Sequence, residues 1–183
     1  MGHFTALLDL PDLKLTERIP VDEPGETVIS PDGTCLAIAN QAGLSLWNVV
    51  DQKFHWKVTQ SNLIKRIAFS PDGKLVATGG DERFVAVRNV SDGSVRYELS
   101  NHRSRIRSIT FSADGKTLAT ASDGVLTLSH VPTGYNLLEI AIPGTTSLSQ
   151  AIFTPDSNHL LWGVERTAEQ IDEILVFDAD DEE

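Results

Sequence analysis

The chain is 183 residues long and 40% hydrophobic, with 26 acids against 15 bases and a net charge of −11. That hydrophobic content excludes a disordered polymer. The acidic balance argues against non-specific nucleic-acid binding, and no apolar run approaches the ~20 residues of a membrane helix.

Taken in chain order, Met1–Leu10 lacks a basic leader region and carries Asp9 inside its apolar stretch, so no secretory signal is predicted. Phe4–Leu10 and Leu13–Ile19 read as strands. A turn then appears and returns: Ser30-Pro31-Asp32-Gly33, Ser70-Pro71-Asp72-Gly73, Ser112-Ala113-Asp114-Gly115 and Thr154-Pro155-Asp156-Ser157, at steps of 40, 42 and 42. A fixed period in this range marks a repeat array.

Each turn joins two β-prone runs and predicts a hairpin. Before it stand Thr27–Ile29, Ile67–Phe69, Ile109–Phe111 and Ala151–Phe153; after it stand Cys35–Ile38, Leu75–Thr78, Thr117–Thr120 and His159–Trp162. A third run with two-residue alternation follows: Leu44–Asn48, Val85–Asn89, Leu126–His130 and Ile174–Asp178. A more polar fourth run, suited to an outer edge, is expected at Phe54–Val58, Val95–Leu99 and Asn136–Ile140. Four short antiparallel strands per unit, without helical periodicity, make an all-β chain of β-propeller blades.

Phe-Ser-Pro-Asp-Gly-Lys, then Leu-Val-Ala-Thr-Gly-Gly, then a strand ending at Arg88-Asn89 is similar to the WD repeat, and the resemblance covers roughly residues 4–179. The Trp-Asp dipeptide is worn to Trp47-Asn48, Arg88-Asn89, Ser129-His130 and Phe177-Asp178. The Gly-His dipeptide survives as Asn101-His102, against Thr59-Gln60 and Pro143-Gly144. The family's buried tetrad joins that His to a Ser or Thr, a turn Asp and the Trp. By position the turn Asp corresponds to Gln41, Glu82 and Asp123, so the resemblance leaves Trp47, His102 and Asp123 as structural tetrad remnants. Such a tetrad is a packing device.

The implied organisation is one propeller segment over residues 1–179, with repeats near 20–50, 60–92, 102–134 and 144–179. It describes an open arc or half-ring of about four blades. Glu165–Glu183 holds nine acids against Arg166 alone, −8 of the net charge, and residues 180–183 are expected to be a solubilising acidic tail. Phe4–Leu10 aligns with a third strand and Leu13–Ile19 with a fourth, while the last repeat stops at its third strand. Two copies related by a two-fold axis are therefore one expected assembly, four blades plus four. A half-propeller whose role is assembly into a larger ring is the alternative to a plain interaction module.

Motifs for chemistry are absent: no nucleophile elbow, nucleotide loop, dinucleotide fingerprint or zinc-protease motif is written in the chain. The five histidines are scattered without metal-ligand spacing. A propeller enzyme needs repeated acids or histidines on the inner strands, and those strands show Arg66, Arg107 and Gln150 instead. No catalytic residue, cofactor or metal is expected. Asn89-Val90-Ser91 spells a glycosylation acceptor that is idle without secretion. The single cysteine, Cys35, allows no internal disulfide and points to a reducing cytoplasm.

One basic cluster stands out. His102-Arg103-Ser104-Arg105-Ile106-Arg107 enters the inner strand of blade three, Lys65-Arg66 occupies the matching place in blade two, and Arg83 lies on a loop of the same end. The plain reading is solvated charge, paired with Asp81 or Glu82. The sharper reading is a rim (Lys65, Arg66, Arg83, Arg103, Arg105, Arg107) for an acidic or phosphorylated protein segment.

Overall fold

In the computed structural model, which describes residues 3–9, 14–21, 25–60, 63–100, 102–141, 145–166 and 173–178, the repeated turns all close alike. The Gly33 N–H donates to the Ser30 carbonyl at 2.9 Å, and Gly33 sits at φ +73°, a conformation glycine adopts without steric cost. The Ser30 hydroxyl donates to Asp32 at 2.6 Å while accepting the Cys35 N–H at 2.9 Å. Ser70 does the same with Asp72 and Leu75, Ser112 with Asp114 and Thr117, and Thr154 with Asp156 and His159. Each aspartate also accepts the N–H two residues on, at Thr34, Lys74, Lys116 and Asn158. These bonds, the hydroxyl's first, hold the Asp32, Asp72, Asp114 and Asp156 carboxyls below the usual range.

The chain is all-β among the described residues. A hairpin, β1 (His3–Asp9) and β2 (Lys14–Val21), precedes three four-stranded antiparallel sheets and one of three strands. Blade one is β3 (Glu26–Ile29), β4 (Cys35–Asn40), β5 (Gly43–Asn48) and β6 (Lys53–Thr59). Blade two is β7 (Ile64–Phe69), β8 (Leu75–Gly80), β9 (Val85–Asn89) and β10 (Val95–Leu99). Blade three is β11 (Ile106–Phe111), β12 (Thr117–Ser122), β13 (Val125–His130) and β14 (Asn136–Ala141). Blade four is β15 (Thr145–Phe153), β16 (His159–Arg166) and β17 (Glu173–Asp178). The inner strands β3, β7, β11 and β15 stand side by side, and the described sheets form an open array. Among the described residues no helix is long and apolar enough to cross a membrane. The Pro143-Gly144 position and the acidic tail lie outside the described residues.

The core is a series of seams between sheets. Ala37, Ala39, Leu44 and Leu46 of blade one meet Ile64, Ile67 and Val76 of blade two. Leu75, Val85 and Val87 meet Ile106, Ile109, Phe111 and Leu118, and Leu126 and Leu128 meet Ala151, Leu160 and Trp162. Burying each large aliphatic side chain contributes ~1.5–3 kcal/mol. The second strands are small where sheets approach: Ala37, Ala77 and Ala119 are each 0% exposed. A Cβ on Gly79 would lie 3.0 Å from the Ile106 side chain.

Aromatic clasps reach across two seams. The Trp56 indole N–H donates to the Val90 carbonyl at 2.7 Å, and the Tyr97 hydroxyl to the Val131 carbonyl at 2.6 Å. Each ring lies on a left-handed glycine of the next blade, Gly93 or Gly134, where a Cβ would approach within 2.9 or 2.8 Å. In β14 the matching residue is Leu138, and Leu137 and Leu138 are 58% and 39% exposed. The expected polar character of the fourth strand therefore fails in blade three. Alternation of half-buried aromatic and exposed charge, as in Trp56-Lys57 and Tyr97-Glu98, is replaced there by Leu137-Leu138.

Candidate interaction face

The end of the sheets opposite the turns carries the basic cluster. The chain places a cation in or just before the inner strand and an acid sixteen residues later, at the second-to-third-strand turn, so the two loops of one blade face each other. Lys65 Nζ lies 2.7 Å from Asp81 Oδ1 in blade two, and Arg107 Nε lies 2.7 Å from Asp123 Oδ1 in blade three. Arg105 approaches Asp123 at 4.0 Å, and the Asp123 N–H donates to the Ser104 hydroxyl at 2.8 Å. Arg66 joins blades: it donates to the Lys65 carbonyl at 2.6 Å and to the Arg107 carbonyl, and lies 3.5 Å from Glu26 on β3. These pairs are partly solvated, and such pairs contribute ~0–1 kcal/mol each; their effect is to fix the loops.

Arg83 and Arg103 are exposed on the same end and make no ion pair among the described residues. Of the six expected rim cations, the structure thus draws four into a network and leaves these two facing solvent. Glu82, half-buried beside Arg83, pairs with neither.

The tetrad remnants do not assemble as their columns suggest. His102 is 6% exposed, and its Nε2 lies 3.3 Å from the Thr120 hydroxyl. Its Nδ1 is buried without a partner, because the Asp123 carboxylate is held by Arg107 instead. A charge-assisted bond is stronger than one to a neutral imidazole. Burial pushes the His102 pKa down, opposed by the Glu139 charge. Strand register also corrects the turn column of blade two: Gly80 matches Ser122, so Asp81, not Glu82, corresponds to Asp123. The signal was present in sequence as two cation–acid pairs at one offset.

Trp47 is 7% exposed and packs edge-to-face on Phe54, with centroids 4.8 Å apart. Its indole nitrogen has no partner, since Ile38 stands where Thr78 and Thr120 supply hydroxyls. At the same column Arg88 is 9% exposed and donates to the Gly93 carbonyl at 3.2 Å, and burial lowers its pKa against the Glu98 charge. Trp47 and His102 are thus buried, while Asp123 belongs to the ion-pair network of the rim. A cleft of about 490 Å³ opens at the other end, between the turns of blades two and three, where Lys74 and Arg96 face Asp72 and Asp114. Its charges cancel within it. No cluster of metal-ligating side chains occurs among the described residues.

The family model described as WD domain, G-beta repeat, matches residues 52–89 and 91–128. Each match takes the outer strand of one blade and the next three strands. No curated protein matches the sequence. Among solved structures 1348 chains match. One is the Kuenenia stuttgartiensis Hydrazine Synthase, with a TM-score of 0.80 at 16% identity over 97% of this chain and 57% of that chain. This chain therefore spans little more than half of that one, and the likeness is one of fold alone.

Proposed function

The chain is a WD-repeat β-propeller segment, and from that premise we propose that it is a non-catalytic protein-interaction module, a cytoplasmic scaffold that captures an acidic or phosphorylated segment at the rim of blades two and three. The observation that carries this reading is the state of the rim acids. Asp81, Asp123 and Glu26 are engaged by Lys65, Arg107 and Arg66, and Arg83 and Arg103 stand exposed without an ion pair among the described residues. A guanidinium offers a planar fork to carboxylate or phosphate, and rigid strands hold both loops in place for it. The cytoplasmic assignment rests on cysteine usage, Cys35 being free.

The test is binding of phosphoserine and glutamate-rich peptides by fluorescence anisotropy. Hydrogen bonds to charged groups contribute ~1.5–3 kcal/mol each, so the double substitution Arg83→Glu with Arg103→Glu is expected to weaken binding at least about tenfold. Added salt is expected to weaken the parent complex. Peptide binding that is unchanged in the double variant, or absent from the parent protein, overturns the reading.

A further inference from the structure

The inner strands are joined by a repeated contact. Glu26 on β3 accepts the Ile67 N–H at 3.3 Å, Arg66 on β7 donates to the Arg107 carbonyl, and Ser108 on β11 accepts the Ala151 N–H at 3.0 Å. By strand register Glu26, Arg66 and Ser108 form one column, each reaching the next blade's inner strand. The fourth member is Gln150, exposed on β15.

Two apolar columns tell the same story from opposite ends. Val28 and Ala68 face forward and pack into the seam with the next blade. Their counterpart in blade four, Ile152, is 51% exposed. Leu161, in the column of the fully buried Ala37, Ala77 and Ala119, is half-buried. Facing backward, Phe69, Phe111 and Phe153 pack on the preceding blade. Their counterpart in blade one, Ile29, is 52% exposed. The β1–β2 hairpin covers only the outer part of that side, where Ile19 meets Leu36, Ile38 and Trp47.

The forward face of blade four and the backward face of blade one are therefore the two halves of one more seam. We propose that two copies of this chain close on each other about a two-fold axis, blade four of each seated before blade one of the other. Ile152 of one copy then covers Ile29 of the other, and Gln150 reaches the backbone at Thr27, the residue aligned with Ile67 and Ala151. Strand β2 keeps its seat and becomes the fourth strand beside β17 of the other copy, the edge that lacks one among the described residues. Strand β17 takes the place that β1 now holds, so β1 is displaced. Two such seams close eight blades without a free end. This assembly is independent of the rim reading, since Arg83 and Arg103 lie away from both faces.

Light scattering on the purified chain is expected to give twice 20.0 kDa. Ile29→Asp and Ile152→Asp should each yield a monomer with an unchanged circular dichroism spectrum, because both side chains are half exposed already. Tyr135→Asp, at a site 74% exposed in blade three, which forms neither face, should leave the dimer intact. In a Cys35→Ser background, Gln150→Cys with Thr27→Cys should form a dimer-sized band on non-reducing gels that neither cysteine forms alone. A parent chain that stays monomeric overturns the proposal. So does an open-ended oligomer, a dimer that survives either aspartate, or failure of the cysteine pair to link copies.

Discussion

The two ends of the sheets are built on different principles. At the turn end the repeated hydrogen bonds are local: Ser70 reaches Asp72 and Leu75, two and five residues away, and the other turns repeat it, with Asp114 to Ser157 as a bond between neighbouring turns. At the rim end the bonds span sixteen residues within a blade, as in Arg107 to Asp123, or forty-one between blades, as in Arg66 to the Arg107 carbonyl. Local networks are reproduced whenever a short motif is copied. Long-range ones depend on two separately drifting segments. The turn end therefore keeps the repeat recognisable, while the rim is where blades diverge.

Removing a turn hydroxyl should have the largest effect on stability. Ser70→Ala leaves the buried Leu75 N–H without its side-chain acceptor and Asp72 without its donor, and an unmet buried donor costs ~1–3 kcal/mol. The melting midpoint in urea is expected to fall with little change in slope. A loss no larger than that of Arg103→Ala, a surface change within ~0.5 kcal/mol, would erase the distinction between the two ends.

Acid should act on both ends in sequence. His102 has a folded pKa below its ordinary 6.5, so the unfolded chain takes up the proton first. The stability of the neutral buried ring is thus present above that value and is lost as pH falls through the folded pKa. The four turn aspartates have folded pKa values below the ordinary 3.8, so their contribution is full above 3.8 and is lost only at lower pH. Thermal melts against pH should show a first decline below about 6.5 that His102→Gln removes, and a second below 3.8 that it does not. A single decline confined to the lower range would mean that His102 is freely solvated.

The smallest effect sharpens the comparison from the opposite direction, by gain. Gln52 and Ser157 hold left-handed backbone, φ 54° and 65°, where the other blades have glycine. Gln52→Gly should raise stability by ~1 kcal/mol, the usual cost of that conformation for a side chain. Ser157→Gly should gain less, because the Ser157 hydroxyl accepts the Asp114 N–H at 3.0 Å across the seam to blade three. Equal gains in thermal melts would show that this contact is worth nothing.

Much of the fold was legible because turn chemistry is short-range. The spacing of Ser30, Ser70, Ser112 and Thr154 places every hairpin, and the alternating runs after them become β5, β9, β13 and β17. The site was less legible for the complementary reason. Charges at Lys65, Arg66 and Arg107 are plain in the sequence, but their partners are set by strand register, and one extra residue in the blade-two turn shifts the match from Glu82 to Asp81. The family resemblance already implied a buried His102 joined to a Ser or Thr, but the diversion of Asp123 to Arg107 follows from a competition between donors that no column alignment displays. Exposure of Ile29 and Ile152 was equally hidden, since both stand at positions that are buried or half-buried in the neighbouring repeats.

The aromatic clasps make the array a set of links, not a stack of plates. Trp56 belongs to the sheet of blade one but grips the backbone of blade two, and Tyr97 carries the same grip onward to blade three. A segment cut just before its outer strands, such as 53–94 or 95–135, therefore carries both hook and eye when it is duplicated or exchanged. Cutting between sheets separates hook from eye. Shuffled or shortened versions of this protein should hold together when the joint falls just before an outer strand, and come apart when it falls just after one.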